Sequence, residues 1–166
     1  GVDAASRPLT GQLRLPRQYA IANRKKVAVI MPISNQFADD QRYTTLHTCE
    51  YSSDTGTYKF VPDTQWEFLP TGAIIHSDGT TNTSSIPVDP DDEAATDPNY
   101  NGVRAVIFTP TGALDAPNDT TTKIRIVEGF FESNAGARAR NADNWVDIEI
   151  NPFTGRIEVK TPESSS

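Results

Sequence analysis

His47 and Cys49 stand two residues apart in RYTTLHTCEYS, a run rich in β-branched and aromatic residues. On a strand that spacing puts both on one face, as a pair of metal ligands would require. A zinc site takes three or four ligands, and the other imidazole, His76, closes a different apolar run, FLPTGAIIH. We therefore read His47 and Cys49 as a strand with an incidental buried thiol. The acidic run DPDDEAATD offers a different chemistry, because Asp89, Asp91, Asp92 and Asp97, with Glu93 among them, carry the hard oxygen ligands that calcium takes. Their spacing lacks the alternating carboxylates and mid-loop glycine of an EF-hand, and a run of this kind is ordinarily solvated. Trp66 and Trp145 could stack on a sugar, but in apolar strands they read as sheet-packing residues. The chain has no G-x-S-x-G elbow and no glycine-rich phosphate loop, and neither histidine has a carboxylate at a telling distance. No catalytic residue and no cofactor is expected.

The bulk numbers bound the partners. With 22 acidic residues against 15 basic ones the net charge is -7, which argues against a nucleic-acid partner, since phosphate binding needs a basic face that releases counterions. A single cysteine excludes an internal disulfide framework and a multi-thiolate zinc site. No window approaches the roughly 18 consecutive apolar residues of a membrane-spanning helix. The opening GVDAASRPL lacks an initiator Met, and the natural chain is expected to continue upstream of Val2.

The elements that would position these residues follow from periodicity. Residues 3–24 carry Leu9, Leu13 and Ala20 near helical spacing among good helix formers, and RKK at 24–26 places cations at the negative end of the helix dipole. Pro16 removes one backbone hydrogen bond, so a kink or a fresh helix start is expected there. From Lys26 the pattern switches to strands: KVAVIMPI, then a hairpin of RYTTLHTCEYS and TYKFV around SDTG, then QWEFLP. The segment 77–102, dense in Asp, Pro, Ser and Thr, reads as a long acidic surface loop with a short strand near SIPV. Strands resume at VRAVIF, KIRIVEGF, WVDIEI and GRIEVK, and the tail 161–166 should fray. In KIRIV, Ile124 and Ile126 share one face, with Lys123 and Arg125 on the other; in WVDIEI, Val146, Ile148 and Ile150 oppose Asp147 and Glu149. The whole reads as one α+β domain, a helix on antiparallel sheet with strands in 26–76 and 103–160.

One piece of punctuation recurs: LPTGAII, FTPTGAL and NPFTGRI. Proline pre-sets φ for the second position of a β-turn and glycine takes positive φ at its exit. Pro70 with Gly72, Pro110 with Gly112 and Pro152 with Gly155 are therefore expected to be three hairpin turns of one antiparallel meander. Nothing else between the copies repeats, which argues against a propeller or solenoid.

The order of these features resembles the soluble part of the GspH/FimT class of minor pseudopilins and minor type IV pilins. Leu9, Leu13, Arg17, Ala20, Ile21, Asn23, Val27 and Val29 answer that class's helix and first strand. Trp66, Leu69, Pro70 and Gly72 answer its W..LP.G strand end; Ile107, Phe108, Pro110 and Gly112 its I.F.P.G hairpin; Thr154, Gly155, Arg156 and Val159 its closing TGR..V. The resemblance spans almost the whole chain. It implies a pilin-like fold and a non-enzymatic subunit whose processed N-terminal segment anchors it in the inner membrane and then packs into a filament core. Leu9, Leu13 and Ala20 would continue that helix and lay an apolar stripe on the sheet. It further implies other minor and major pilins or pseudopilins as partners, a domain in the periplasm or in an extracellular filament, placement near the filament tip, and a role in protein secretion or pilus biogenesis. The competing reading is a secreted or surface β-sandwich that binds carbohydrate or calcium, which an exposed pair of aromatic residues would favour.

Overall fold

The computed structural model describes residues 2–33, 37, 41–89, 102–132 and 135–163. A 3-10 turn, Val2–Ala5, leads into helix α1, Ser6–Asn23. Pro16 lies inside α1 and neither ends nor restarts it. The fresh helix start, one of the two alternatives expected at Pro16, does not occur: Pro16 is buried in a tertiary contact, and packing of an apolar face contributes more to a protein helix than intrinsic propensity. The helix ends where the sequence suggested: Arg24 turns left-handed at φ 53°, and its amide donates back to the Ala20 carbonyl.

The first sheet contains β1, Val27–Met31; β2, Thr45–Ser52; β3, Thr57–Phe60; and the two-residue β4, Glu67–Phe68. After β5, Ala73–Ile75, and a 3-10 turn at Ser77–Gly79 come β6, Ser84–Ile86, and β7, Val88–Asp89. β8, Val103–Phe108, completes that sheet in the order β6-β8-β1-β2-β3-β7, with β4 paired to the start of β2. β6 and β7 lie at opposite ends of this order, yet only Pro87 separates them in sequence. The path therefore closes on itself: Ser84–Ile86 pairs antiparallel with β8 and Val88–Asp89 pairs parallel with β3. A closed path leaves no long free edge to template aggregation.

The second sheet has the order β11-β10-β9-β5, from β9, Thr122–Glu132, β10, Gly136–Ile150, and β11, Ile157–Lys160. All its pairings are antiparallel. The α+β architecture is the one expected, a single helix on sheet, except that the parallel β3–β7 pair makes the first sheet mixed where an antiparallel one was expected. Consecutive hairpins account for β1-β2-β3 and β9-β10-β11, whereas β8 returns to pair with β1 and β5 crosses to β9.

Two hydrophobic clusters result. One lies inside the closed sheet and includes Ala28, Ile30, Cys49, Tyr58, Ile86 and Val88. The other lies between α1, the outer face of the closed sheet and the second sheet, and includes Leu9, Leu13, Val29, Leu46, Phe108, Ile126 and Ile148. β1 serves both, so all five of its residues are buried and it reads as a continuous apolar run instead of an alternating one. The short strand expected near SIPV within 77–102 is present as two, β6 and β7, and it is not part of a surface loop: Ile86 and Val88 place residues 84–89 in the wall of the closed sheet, because only alternate residues of a strand have to be apolar to line an interior.

Candidate functional site

Leu9, Leu13 and Ala20 are fully buried against the second cluster, together with Val2 and Ala5 upstream. They pack α1 onto this domain and are not offered to another molecule. The large apolar side chains that α1 does present are Leu15, 68% exposed, and Ile21, 41% exposed.

From the same helix Arg17 reaches across to the two TG turns. Its Nε and Nη2 donate to the Thr154 carbonyl at 3.1 and 2.9 Å. The turn around it is built locally: Asn151 Oδ1 accepts from the amides of Phe153 and Thr154, and the Gly155 amide donates to the Asn151 carbonyl at 2.8 Å. The turn after β8 is closed by Gly112 donating to the Thr109 carbonyl at 2.9 Å, and the Leu114 amide donates to the Pro152 carbonyl, joining the two turns. Gly112 and Gly155 have φ of +87° and +70°. A Cβ on Gly155 would run into the Gly112 carbonyl, and a Cβ on either glycine would meet the Arg17 guanidinium. Glycine is thus required twice over, for the left-handed backbone and for the close approach. The result is a clamp in which one helix side chain gathers the ends of both sheets.

Of the three predicted hairpin turns, those at Pro110–Gly112 and Pro152–Gly155 connect segments that pair, the first through the single bridge Phe108–Leu114 and the second through β10 and β11. The third is corrected. β4 pairs with β2 and β5 with β9, so Pro70 and Gly72 carry the chain from one sheet to the other, with the Gly72 carbonyl accepting from the Gly129 amide. Proline and glycine fix a local reversal; which strands it joins is decided by the packing beyond it.

The residues with chemical potential are dispersed. His47 and Cys49 share the inward face of β2. His47 stacks on Phe60 with ring centroids 4.1 Å apart and meets Trp66 edge-on, and its Nδ1 donates to the Thr48 carbonyl at 3.0 Å. Burial lowers its pKa below the usual 6.5, opposed by that carbonyl and by Glu67. Burial also pushes the Cys49 thiol far up, which keeps it protonated and poorly nucleophilic. His76 follows β5 in the other sheet, and its Nδ1 is buried without a hydrogen-bond partner among the described residues. Asp89 is the last residue of β7, while Asp91, Asp92, Glu93 and Asp97 lie outside the described residues. Among the described residues no three of His, Cys, Asp and Glu are grouped to hold a metal. Trp66 packs against Phe37, His47 and Phe60, and Trp145 lies beneath the Arg125 guanidinium, 4.6 Å from its ring centre; neither is an exposed stacking platform.

One arrangement was missed. Arg125 and Asp147 are direct partners across β9 and β10, and Arg125 Nε and Nη2 donate to the two carboxylate oxygens at 2.7 and 2.8 Å. Asp147 is 4% exposed although it points away from the core, because the 3-10 turn covers that face: a Cβ on Gly79 would strike Arg125. The signal was present as opposite charges on the outward faces of neighbouring strands, but it becomes readable only once the register is known.

No protein-family model matches the chain, and no curated protein matches it by sequence. Solved structures do. The minor pseudopilin EpsH of the Vibrio cholerae type 2 secretion system matches 97% of this chain over 97% of its own, at TM-score 0.55 and 12% identity. The type IV minor pilin FimU of Pseudomonas aeruginosa matches 99% of this chain over 95% of its own, at TM-score 0.55 and 16% identity, and a second crystal form of FimU matches at 0.53. At these identities the likeness is one of fold, and over essentially its full length this chain has the fold of a minor pseudopilin or minor type IV pilin.

Proposed function

We propose that this chain is the globular part of a minor pilin-type subunit, a structural protein that acts by assembling with other pilins or pseudopilins and not by catalysis. The observation that carries the reading is the reciprocal coverage of the fold likeness: helix, closed sheet and second sheet correspond with little left over on either side. A fold alone does not confer a function. Here the local design agrees with it, because α1 is bolted to the domain along its whole length by the buried stripe and by Arg17, as a helix that transmits position from an upstream segment needs to be. In this reading the segment upstream of Val2 is an apolar helix that holds the subunit in the inner membrane before assembly. The domain then stands in the periplasm or on an external filament, near the tip, and serves secretion or pilus biogenesis.

The test is to read the natural gene upstream of Val2. A short basic leader followed by about 20 apolar residues is expected. An ordinary cleavable signal peptide or another folded domain in that position would sink the proposal.

A further inference from the structure

A groove of about 570 Å³ runs between α1 and the end of the closed sheet. Its helix wall is Pro8, Gly11, Gln12, Leu15 and Tyr19; Leu46 and Val61 contribute apolar surface, and Asp63 and Glu67 line the far side. Gly11 widens it, since nothing lies within 4 Å of where its Cβ would be. The groove is mostly apolar, and it holds an unpartnered acceptor and two carboxylates. Gln12 Oε1 is buried with no hydrogen-bond partner among the described residues, and Pro16 has no amide to give the Gln12 carbonyl one turn before it. Asp63 and Glu67 form no ion pair among the described residues. Two of its hydroxyls are already used: Tyr19 donates to Glu50 at 2.7 Å and Thr64 to the Val61 carbonyl at 2.6 Å.

A cleft with apolar walls, an unpartnered amide oxygen and two unpaired carboxylates at its side complements one kind of side chain. We infer that the groove receives an arginine from an extended segment of a protein partner. The aliphatic stem would lie along Leu46 and Val61, with the guanidinium donating to Gln12 Oε1 and paired with Glu67. Arginine suits this better than a bare cation because its stem matches the apolar walls and its planar fork supplies several donors at once. The 68%-exposed Leu15 at the margin gives the partner's flanking residues an apolar contact. The inference goes beyond the filament reading and does not depend on it, since the groove's chemistry is the same whatever lies upstream of Val2.

The test is an amide-resolved NMR titration of the folded chain with the peptide acetyl-Leu-Arg-Leu-amide, its citrulline counterpart and calcium chloride, each separately. Saturable shifts confined to Gly11, Gln12, Thr64 and Glu67 with the arginine peptide, at least about tenfold weaker with citrulline, are expected, because one charge-assisted contact corresponds to a factor of that order. Gly11→Leu fills the groove while improving helix propensity, so it should remain folded and lose the shifts. Glu67→Gln, an exposed position, should weaken binding several-fold with the fold intact. Shifts that fail to saturate by about 10 mM peptide, where even weak specific binding would show, would overturn the inference. So would equal binding of the citrulline peptide, or calcium alone saturating the same amides.

Discussion

The two faces of the closed sheet bury their residues in different ways. The outer face, under α1, is aliphatic and dense, with Leu9, Leu13, Leu46, Phe108 and a run of isoleucines from the second sheet, all nearly without exposure. The inner face mixes Ala28, Ile30 and Ile107 with Cys49 and Tyr58, and His47, Phe60 and Trp66 pack against its margin. The first face is held by shape and by the Arg17 clamp, the second by closure of the strand path. Replacing atoms in the outer cluster should therefore cost more than replacing them inside. Phe108→Ala is predicted to remove about 4 kcal/mol of stability, the range for a buried aromatic that leaves a cavity. Cys49→Ala, which deletes a single sulfur from the inner face, should cost about 1 kcal/mol. Urea unfolding midpoints of the two variants measure the contrast, and equal losses would break it.

The clamp gives a sharper form of the same comparison. Gly155→Ala places a Cβ in a left-handed residue and against the Gly112 carbonyl, and should cost about 3 kcal/mol, more than the 1–2 kcal/mol of the backbone conformation alone. Gly136→Ala is the internal control, with a similar φ of +81° and open space around its Cβ. It should show only the conformational part, about 1–2 kcal/mol. If both variants lose the same amount by thermal melting, the turn-to-turn contact contributes nothing and the clamp is only backbone geometry.

How much of this could be read in the sequence depends on range. The end of α1 at Arg24, the β2–β3 hairpin and the inward set Ile124, Ile126, Val146, Ile148 and Ile150 come from local periodicity and turn chemistry, and all lie where those signals put them. The N-terminal half of β10, GARARNADN, was not read as strand, because Ala, Arg, Asn and Asp fit a pleated surface poorly. Pairing with β9 recruits it regardless, with register shifts between Ala139 and Asn141 and between Asn141 and Trp145 where the fit fails. Closure by residues 84–89, the meeting of two TG turns on Arg17, and the acceptor-lined groove are all contacts between segments far apart in sequence. The repeated turn motif was legible; that two copies face each other and the third joins two sheets was not.

Away from both clusters, the Arg125–Asp147 pair asks whether a polar device on the outside of the second sheet supports the aliphatic face beneath it. Asp147→Asn keeps the volume and removes the charge, leaving a guanidinium that is partly covered by the 3-10 turn and by Trp145. Loss of a buried pair's partner is destabilising because the remaining charge stays desolvated. With the Arg125 side chain still 26% exposed, water takes up part of that penalty, so about 2 kcal/mol is expected rather than the upper range. The double variant Arg125→Leu with Asp147→Leu should recover most of the loss. A double variant no more stable than Asp147→Asn would mean that the pair acts through packing alone.

The smallest predicted effect belongs to the inner face. His47 is stacked on Phe60 and edged by Trp66, with the Thr48 carbonyl on Nδ1 and the Glu67 charge nearby, and burial outweighs these last two to lower its pKa. The folded protein then binds this proton less readily than the unfolded chain does. Stability is complete above the unfolded value of 6.5 and falls as the pH drops below it, levelling only under the lowered folded value. One proton limits the slope to about 1.4 kcal/mol per pH unit. Other ionisable groups contribute to the same curve, so the informative quantity is the difference from His47→Phe, which keeps an aromatic stack on Phe60 and removes the ionisable nitrogen. Urea midpoints for the two proteins should run parallel above about pH 7 and diverge below it, with the variant holding its stability further into acid. Parallel curves throughout would show that the His47 imidazole is solvated enough to protonate freely, and that the inner face is open at its margin where the outer one is closed.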